Sequence, residues 1–399
     1  MNEIIVVGDV HEGINFGYQI DPDTGLSKRV FDIHDNFARA TQFAINNDAK
    51  LFIILGDLFD RTHVSPTFRE LVRRDVIEPL AKANIKVWIL AGNHDQPHGN
   101  RGTSIDDFRG YPHVSVYRRP AVENFEIDDK VVGCIIVPYL HPADIAGLVG
   151  ESGREISQER LFPQGQEFLK QWIHGRSDEL NVDFKLLLAH YYIEGARLGE
   201  RIAYPEVLPG EFSFRKDMVP AVDLAVFGHI HLHQVMHAQG TEIVYTGAID
   251  RIDWGEKDDK KGFIVVNPLE QEKWRFVELP TRDMLKINVE VTANDDPTQK
   301  ILDTIPDVTE KLVRLEIEID EGLRGKVAEY KIAERLKGAF NYDVHWTEKA
   351  GEKVGFASYT MDPFELLRKF IDSNYQSHPK REKLLEEGRN ALKEVLHAE

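Results

Sequence analysis

Five apolar runs, far apart in the chain, each end in a small cluster of side chains that bind metal ions. Ile4 to Val7 leads into Gly8-Asp9-Val10-His11, and Leu51 to Leu55 into Gly56-Asp57-Leu58-Phe59-Asp60. Ile85 to Ala91 leads into Gly92-Asn93-His94-Asp95, Phe184 to Ala189 into His190, and Leu224 to Phe227 into Gly228-His229-Ile230-His231. Short, β-branched runs that stop at glycine read as buried strands. Two histidines two positions apart after a glycine can turn both rings to one point. A chain that delivers Asp, Asn or His at five strand ends is constrained to a fold that gathers those ends in one place.

The early strands alternate with helices. Residues 3–8, 51–55 and 85–91 read as strands, and 32–48 and 67–83 as helices. That alternation implies a parallel sheet with right-handed crossovers. Such sheets bind ligands beyond the carboxyl ends of their strands, where Asp9, Asp57 and Asn93 fall. After residue 110 strands are expected at 113–118 and 131–137, then two helices to about residue 178, then strands at 184–189 and 222–227. Strand signals at 233–237, 242–246, 262–267 and 273–279 follow without a clear helix. They predict a second, largely antiparallel sheet. Two packed sheets flanked by helices give an α/β fold, a four-layer α-β-β-α sandwich, over residues 1–280.

Around Pro280 the pattern shifts. Strands at 284–291, 311–319 and 342–347 with helices at 297–305 and 325–338 predict a small α/β capping module over 281–358. Residues 359–399 read as a C-terminal helical segment, with Phe364, Leu367 and Ile371, then Leu384, Leu385, Leu392, Val395 and Leu396, at helical spacing.

Composition narrows the setting. The single cysteine, Cys134, lies within an apolar run and reads as a buried hydrophobe compatible with a reducing cytoplasm. The N-terminus shows no signal-peptide pattern, and no apolar run approaches the ~20 residues that span a bilayer. The expectation is a cytoplasmic protein without a membrane partner. The net charge of −18 argues against nucleic-acid binding through a broad basic surface. Bound cations would neutralise part of it. Short basic clusters occur at Arg73-Arg74, Arg118-Arg119 and Lys260-Lys261, each with solvated surface as its plain reading.

The gathered side chains are Asp9, His11, Asp57, Asn93, His190, His229 and His231: two carboxylates, one amide, four imidazoles and no thiolate. Mixed nitrogen and oxygen donors suit manganese, iron or zinc. Seven donors exceed what one ion takes and suit two ions sharing a carboxylate, for which Asp57 on a central strand is the best placed. Two ions clamp the attacking and leaving oxygens of an in-line displacement at phosphorus and acidify a water between them. His94 follows Asn93 directly and points elsewhere, which assigns it to the second sphere, as general acid for the leaving oxygen or donor to the developing charge. Asp95 either orients His94 or holds its loop.

These motifs, in this order, resemble the calcineurin-like metallophosphoesterase superfamily: Asp-x-His, Gly-Asp-x-x-Asp, Gly-Asn-His-Asp, His and Gly-His-x-His. Within it, Tyr245-Thr246-Gly247-Ala248-Ile249-Asp250-Arg251-Ile252-Asp253-Trp254-Gly255-Glu256, then Lys261-Gly262-Phe263, is similar to the stretch typical of the SbcD (Mre-eleven) nuclease family. The resemblance implies a nuclease of DNA double-strand-break repair, a 3'-5' double-strand exonuclease and single-strand endonuclease. It implies two Mn2+ per protomer, with Mg2+, Fe2+ or Zn2+ as substitutes. By family motif Asp9, His11, Asp57 and His231 hold one ion, Asp57, Asn93, His190 and His229 the other, and His94 is the catalytic acid. It also implies a homodimer acting on DNA ends and single-stranded DNA, with an SMC-like ATPase of the SbcC or Rad-fifty type docked on residues 363–399. Helix 67–83, with Phe68, Leu71 and Val72, and the segment around Ile105 and Phe108 are the candidate dimer contacts.

The chain departs from the family in two places. Asp60 stands where archaeal members often carry histidine to orient the phosphate, so Asp60, with His63 as a neighbour able to substitute, is the candidate phosphate-orienting pair. Glu12 stands where leucine is commoner, with little expected consequence for metal binding. The alternative reading is another dimetal phosphodiesterase acting on nucleotides or small phosphodiesters.

Overall fold

The computed structural model describes residues 3–14, 16, 19–97, 102–151, 157–199, 211–349, 364, 367–368, 371–372 and 380–396. Much of the expected ATPase-docking segment (363, 365–366, 369–370, 373–379 and 397–399) and residues 350–358 of the expected capping module lie outside them. The chain forms two compact units, one of Met1–Ile287, Ile305–Leu315 and Ala333–Val344, the other of Asn288–Thr304, Glu316–Ile332 and His345–Glu399.

The larger unit is built on two six-stranded sheets. The first contains β1 (Ile4–Val7), β2 (Leu51–Leu55), β3 (Lys86–Leu90) and β4 (Val114–Tyr117), all parallel, with β11 (Gly262–Val266) and β12 (Trp274–Glu278) added antiparallel beside β1. The second runs β5 (Ala121–Ile127), β6 (Lys130–Val137), β7 (Phe184–His190), β8 (Leu224–Gly228), β10 (Thr241–Tyr245) and β9 (Gln234–Ala238). The expectation of a largely antiparallel second sheet is corrected. β6, β7, β8 and β10 are parallel, and only the edge strands β5 and β9 are antiparallel. Helices α4 (Pro142–Leu148) and α5 (Gln158–Glu179) lie between β6 and β7, and such a crossover returns the chain parallel. β11 and β12, expected in that sheet, extend the first one. Strand β5 was not anticipated, because only Phe125 and Ile127 of its seven residues are buried.

The period of two along each strand sets the layers. Ile5, Val7, Phe52, Ile54, Val87 and Ile89 pack against helix α1 (Lys28–Asn46) through Ile33, Phe37 and Ala40. Their alternates Ile4, Val6, Leu51, Ile53 and Leu55 face Leu186, Leu188, Leu224 and Val226 of the second sheet. The far side of that sheet, with Leu187, Ala189, Ala225 and Phe227, packs on Ile145, Leu161, Leu169 and Ile173 of α4 and α5. Helix, sheet, sheet and helix thus follow as the sequence predicts. Each fully buried Leu, Ile or Phe contributes about 1.5–3 kcal/mol.

α1 starts earlier than expected because Ser27 caps it, accepting the Arg29 N–H. The helix expected at 67–83 is α2 (Pro66–Val72) and α3 (Glu78–Lys82) joined by a π-helical stretch, Arg73–Ile77. Val72, Ile105 and Phe108 are buried in the core of their own chain, which removes them as dimer contacts. Beyond the sandwich, β13 (Met284–Val291), β14 (Leu312–Asp320) and β15 (Asn341–Lys349) pair in that order, with α6 (Pro297–Thr304), α7 (Glu329–Leu336) and α8 (Arg381–Leu396) following the same chain order. Among the described residues no helix is long and apolar enough to cross a membrane.

Candidate metal centre

The strand ends bring all seven predicted donors together. The turns after β1, β2 and β8 are sharp. Four of the ten described non-glycine residues with positive φ are donors: Asp9 (48°), His11 (52°), Asp57 (50°) and His229 (90°). Left-handed backbone costs of order 1 kcal/mol per residue and survives where surrounding bonds fix it. Asp9 provides one such bond, accepting the His229 N–H at 3.0 Å. Asp57 provides another, accepting the His94 N–H at 2.8 Å. The motif glycines are required by close approach. A Cβ on Gly56 would strike the His190 ring, and one on Gly92 would strike Asp57.

The donors form two groups with carboxylates between them. His11 Nε2 and His231 Nε2 face each other at 3.1 Å. Asn93 Oδ1 faces His190 Nε2 at 3.2 Å and His229 Nδ1 at 3.0 Å. Asp57 Oδ2 lies 3.7 Å from His11 Nε2 and 3.4 Å from His190 Nε2. Asp9 Oδ1 lies 3.8 Å from His231 Nε2 and 4.0 Å from His190 Nε2. One donor atom each from Asp9, His11 and His231, and likewise from Asp9, Asp57 and His190, falls within a 4.8 Å span, the size of a cation site.

The imidazoles are held from behind. His190 Nδ1 donates to the Leu55 carbonyl at 2.8 Å, and His231 Nδ1 to Glu256 Oε1 at 3.0 Å. Carbonyl and carboxylate oxygens only accept, so Nδ1 carries a proton in both rings, and the neutral form of each turns its Nε2 lone pair inward. His11 Nδ1 lies 3.6 Å from Asp60 Oδ1. Two imidazole lone pairs at 3.1 Å repel unless a proton or cation lies between them. The donor set therefore fits divalent cations, with nitrogen and oxygen donors and no sulfur.

The electrostatics follow from burial against opposite charge. Burial alone would raise Asp57, but His190, His94 and His11 outweigh it and hold the carboxyl well below the ordinary range. Burial pulls His190 down, yet Asp57 and Asp9 push it up to about 9. His11 goes the other way, because burial there outweighs Asp60 and Asp57.

His94 packs edge-on to His11, ring centroids 4.7 Å apart, and its Nδ1 donates to the Asp60 carbonyl at 2.7 Å. Its Nε2 is thereby left to the cluster side. The proton on His94 is retained above the usual range, since Asp57 and the Asp60 carbonyl outweigh burial. Asp60 spends its carboxylate beside His11 and its carbonyl on His94. His63 is exposed, and among the described residues no hydrogen bond or ion pair joins it to the site. Of the two candidate roles for Asp95, the structure favours holding the loop. Its carboxylate accepts the N–H groups of Leu58, Phe59 and Gly92, each at 3.1 Å.

Some contributors had no assigned role. Glu256 is fully buried, and its second oxygen pairs with the equally buried Lys261 at 3.0 Å. Lys261 Nζ also donates to the His231 carbonyl at 2.9 Å, so the solvated-surface reading of Lys260-Lys261 fails for Lys261. The stretch 245–263 thus wraps His231 from behind. It is tied to α1 by Arg29, which pairs with Asp250 at 2.6 Å, and by Asn36, which donates to Asp250 at 2.9 Å. His229 Nε2 faces Glu211 at 3.6 Å. Glu12 is buried and accepts from His34 at 3.2 Å.

Two stacked sheets with a buried imidazole–carboxylate cluster at their strand ends define a metallophosphoesterase architecture. The signature of the calcineurin-like phosphoesterases matches residues 3–233, and the chain belongs to that family. It is 26% identical over 294 residues to the DNA double-strand break repair protein Mre11 of Archaeoglobus fulgidus, covering 68% of this chain and 60% of that protein. It is 34% identical over 235 residues to the protein of the same name from Thermoplasma acidophilum, covering 56% and 52%. It is 22% identical over 244 residues to the SbcD component of the SbcCD nuclease of Staphylococcus epidermidis, covering 60% and 61%. The chain thus spans between half and two thirds of the length of these relatives.

Proposed function

We propose that this chain is a two-metal DNA nuclease of double-strand-break repair, cutting duplex ends 3'-5' and single strands internally. The observation that carries the reading is the paired donor set, His11/His231 and His190/Asn93/His229, with Asp57 Oδ2 between them. The names of the relatives supply the substrate class. Asp9, His11, Asp57 and His231 would hold one cation and Asp57, Asn93, His190 and His229 the other, as Mn2+, with Mg2+, Fe2+ or Zn2+ as substitutes. When bound, the pair supplies the Lewis acidity for attack of water on a phosphodiester. The protein's own contribution is positional. Glu256, the Leu55 carbonyl and Asp60 fix the imidazoles, and Asp95 fixes the loop that carries Asp57. His94 holds a proton at Nε2 to give to the departing oxygen. Asp60 would orient the phosphate through His11 and His94, which it holds, with the exposed His63 as the neighbour able to substitute.

The division is a nuclease domain over 1–280, a capping domain over 281–358 and a helical segment over 359–399. The protein would work as a homodimer with an SMC-like ATPase on residues 363–399, in the cytoplasm, at the nucleoid in a prokaryote. The test is cutting of end-labelled duplex and circular single-stranded DNA with manganese, magnesium or chelator, beside His94→Gln. The expected result is manganese-dependent cutting that His94→Gln lowers by about 10²-fold or more. Hydrolysis of small diesters with neither DNA cut would move the reading to a nucleotide or small-molecule phosphodiesterase.

A further inference from the structure

The three basic clusters of this acidic chain end differently in the fold. Arg73 and Arg74 are neutralised by Glu70, Glu78 and Asp75. Lys260 pairs with Glu278, and Lys261 is buried against Glu256. Arg118 and Arg119 instead open a cleft. β4 is parallel to β3, so the residues after it emerge at the same edge as Asn93 and His94. There Gln96, Arg109, Tyr117, Arg118, Arg119 and Asp144 help line a cleft of about 510 Å3.

The cleft is connected to the metal loop. Gln96 donates its N–H to the Gly92 carbonyl at 3.0 Å, and its Oε1 accepts from Arg118 Nε at 3.1 Å. Arg118 Nη1 also donates to Asp106 at 2.9 Å, so its guanidinium is fixed in place. Asp106 takes Arg109 too, at 2.8 Å, and one carboxylate thus serves two guanidiniums. Asp144 spends its carboxylate on the His141 N–H at 3.1 Å. Arg119 is exposed, and among the described residues no acid pairs with it. Three guanidiniums against two engaged carboxylates leave a local positive excess in a chain of net charge −18.

We propose that this cleft binds backbone phosphates of a nucleic-acid strand running on from the metal centre, with Arg119 and Arg109 as phosphate ligands and Arg118 as their fixed neighbour. The inference rests on the nuclease reading of that centre. Guanidinium forks match phosphate oxygens. A focal arginine cleft also resolves how so acidic a chain grips a polyanion without a broad basic face. The grip would be sequence-independent, since phosphates position a strand and do not specify it.

The test uses the metal-loaded full chain with Arg109→Gln, Arg119→Gln and the double variant. Cleavage of a single-stranded oligonucleotide is followed across a salt series, beside hydrolysis of bis(p-nitrophenyl) phosphate, which has a single phosphate and no strand to run on into the cleft. The double variant should raise KM for the oligonucleotide about tenfold and flatten the salt dependence of log kcat/KM by about one per arginine removed. The small diester should be turned over as by the parent chain, which also shows the variant is folded. An oligonucleotide KM and salt slope equal to the parent's would overturn the cleft and leave the nuclease reading standing. A parent chain that hydrolyses the small diester and no oligonucleotide would overturn both.

Discussion

Glu256 decides which nitrogen His231 offers. By accepting the Nδ1 proton it leaves Nε2 to the cluster, and Lys261, paired with its other oxygen at 3.0 Å, holds Glu256 in place. Such outer partners typically contribute 10–100-fold to metal affinity. Glu256→Gln should therefore weaken manganese binding about 10–100-fold in calorimetric titration of metal-free protein, with an unchanged circular dichroism spectrum. An affinity equal to the parent's would show that the Glu256 charge does not contribute to metal binding through His231. The donors themselves were legible in the sequence because each follows directly on a strand, so local pattern and site coincide. Glu256 and Lys261 lie 25 and 30 residues beyond His231 and reach it only by fold-back. Lys261 in particular shares the local pattern of a surface lysine, and nothing near it in the chain signals burial. The same holds for Asp60, whose task is set by where His11 and His94 come to rest.

At the scale of elements, the loop after β1 is fastened to two helices by one imidazole. His34 of α1 bonds Glu12 at 3.2 Å through Nδ1 and Asp75, in the π-helical stretch, at 2.9 Å through Nε2. Burial opposes its charge, but the two carboxylates raise it to about 9. A raised pKa in the folded state stabilises fully below the unfolded value near 6.5 and is lost as pH climbs through 9. The parent chain should thus lose on the order of 1–3 kcal/mol of stability between pH 6.5 and 9.5 that His34→Gln does not lose. Denaturant melts at both pH values measure it, and parallel losses in the two proteins would refute the assignment. A second fastening joins α1 to the stretch behind His231. Arg29→Met leaves Asp250 buried without its guanidinium, which should cost about 3–5 kcal/mol and lower the Tm by several degrees. The helices and parallel strands that carry these ties were readable from apolar period. The placement of β11 and β12 was not, because a buried strand looks the same whichever sheet it joins.

For the whole molecule, the cluster makes folding and metal binding one equilibrium. Asp9, Asp57 and four imidazoles are buried together, and their inward lone pairs and charges need cations or protons to coexist. Ions that bind only the folded chain raise its stability by about 2.7 kcal/mol per site at a hundredfold excess over Kd. Manganese should therefore raise the Tm of the whole chain, and a chelator should reverse it. Two variants separate binding from chemistry. Asp57→Asn removes the charge between both imidazole groups and should lose most of the manganese-dependent rise. His94→Gln removes a proton donor whose Nδ1 is committed to the Asp60 carbonyl, and should keep most of the rise while losing cutting. The comparison is made in the thermal melt of the whole chain, with all donors in the Met1–Ile287 segment of the larger unit. An equal rise in Asp57→Asn and the parent would place the stabilising ions somewhere other than the gathered strand ends. Loss of the rise in His94→Gln would make His94 a ligand of the centre and no longer its acid, which its approach to His11 and Asp57 permits geometrically.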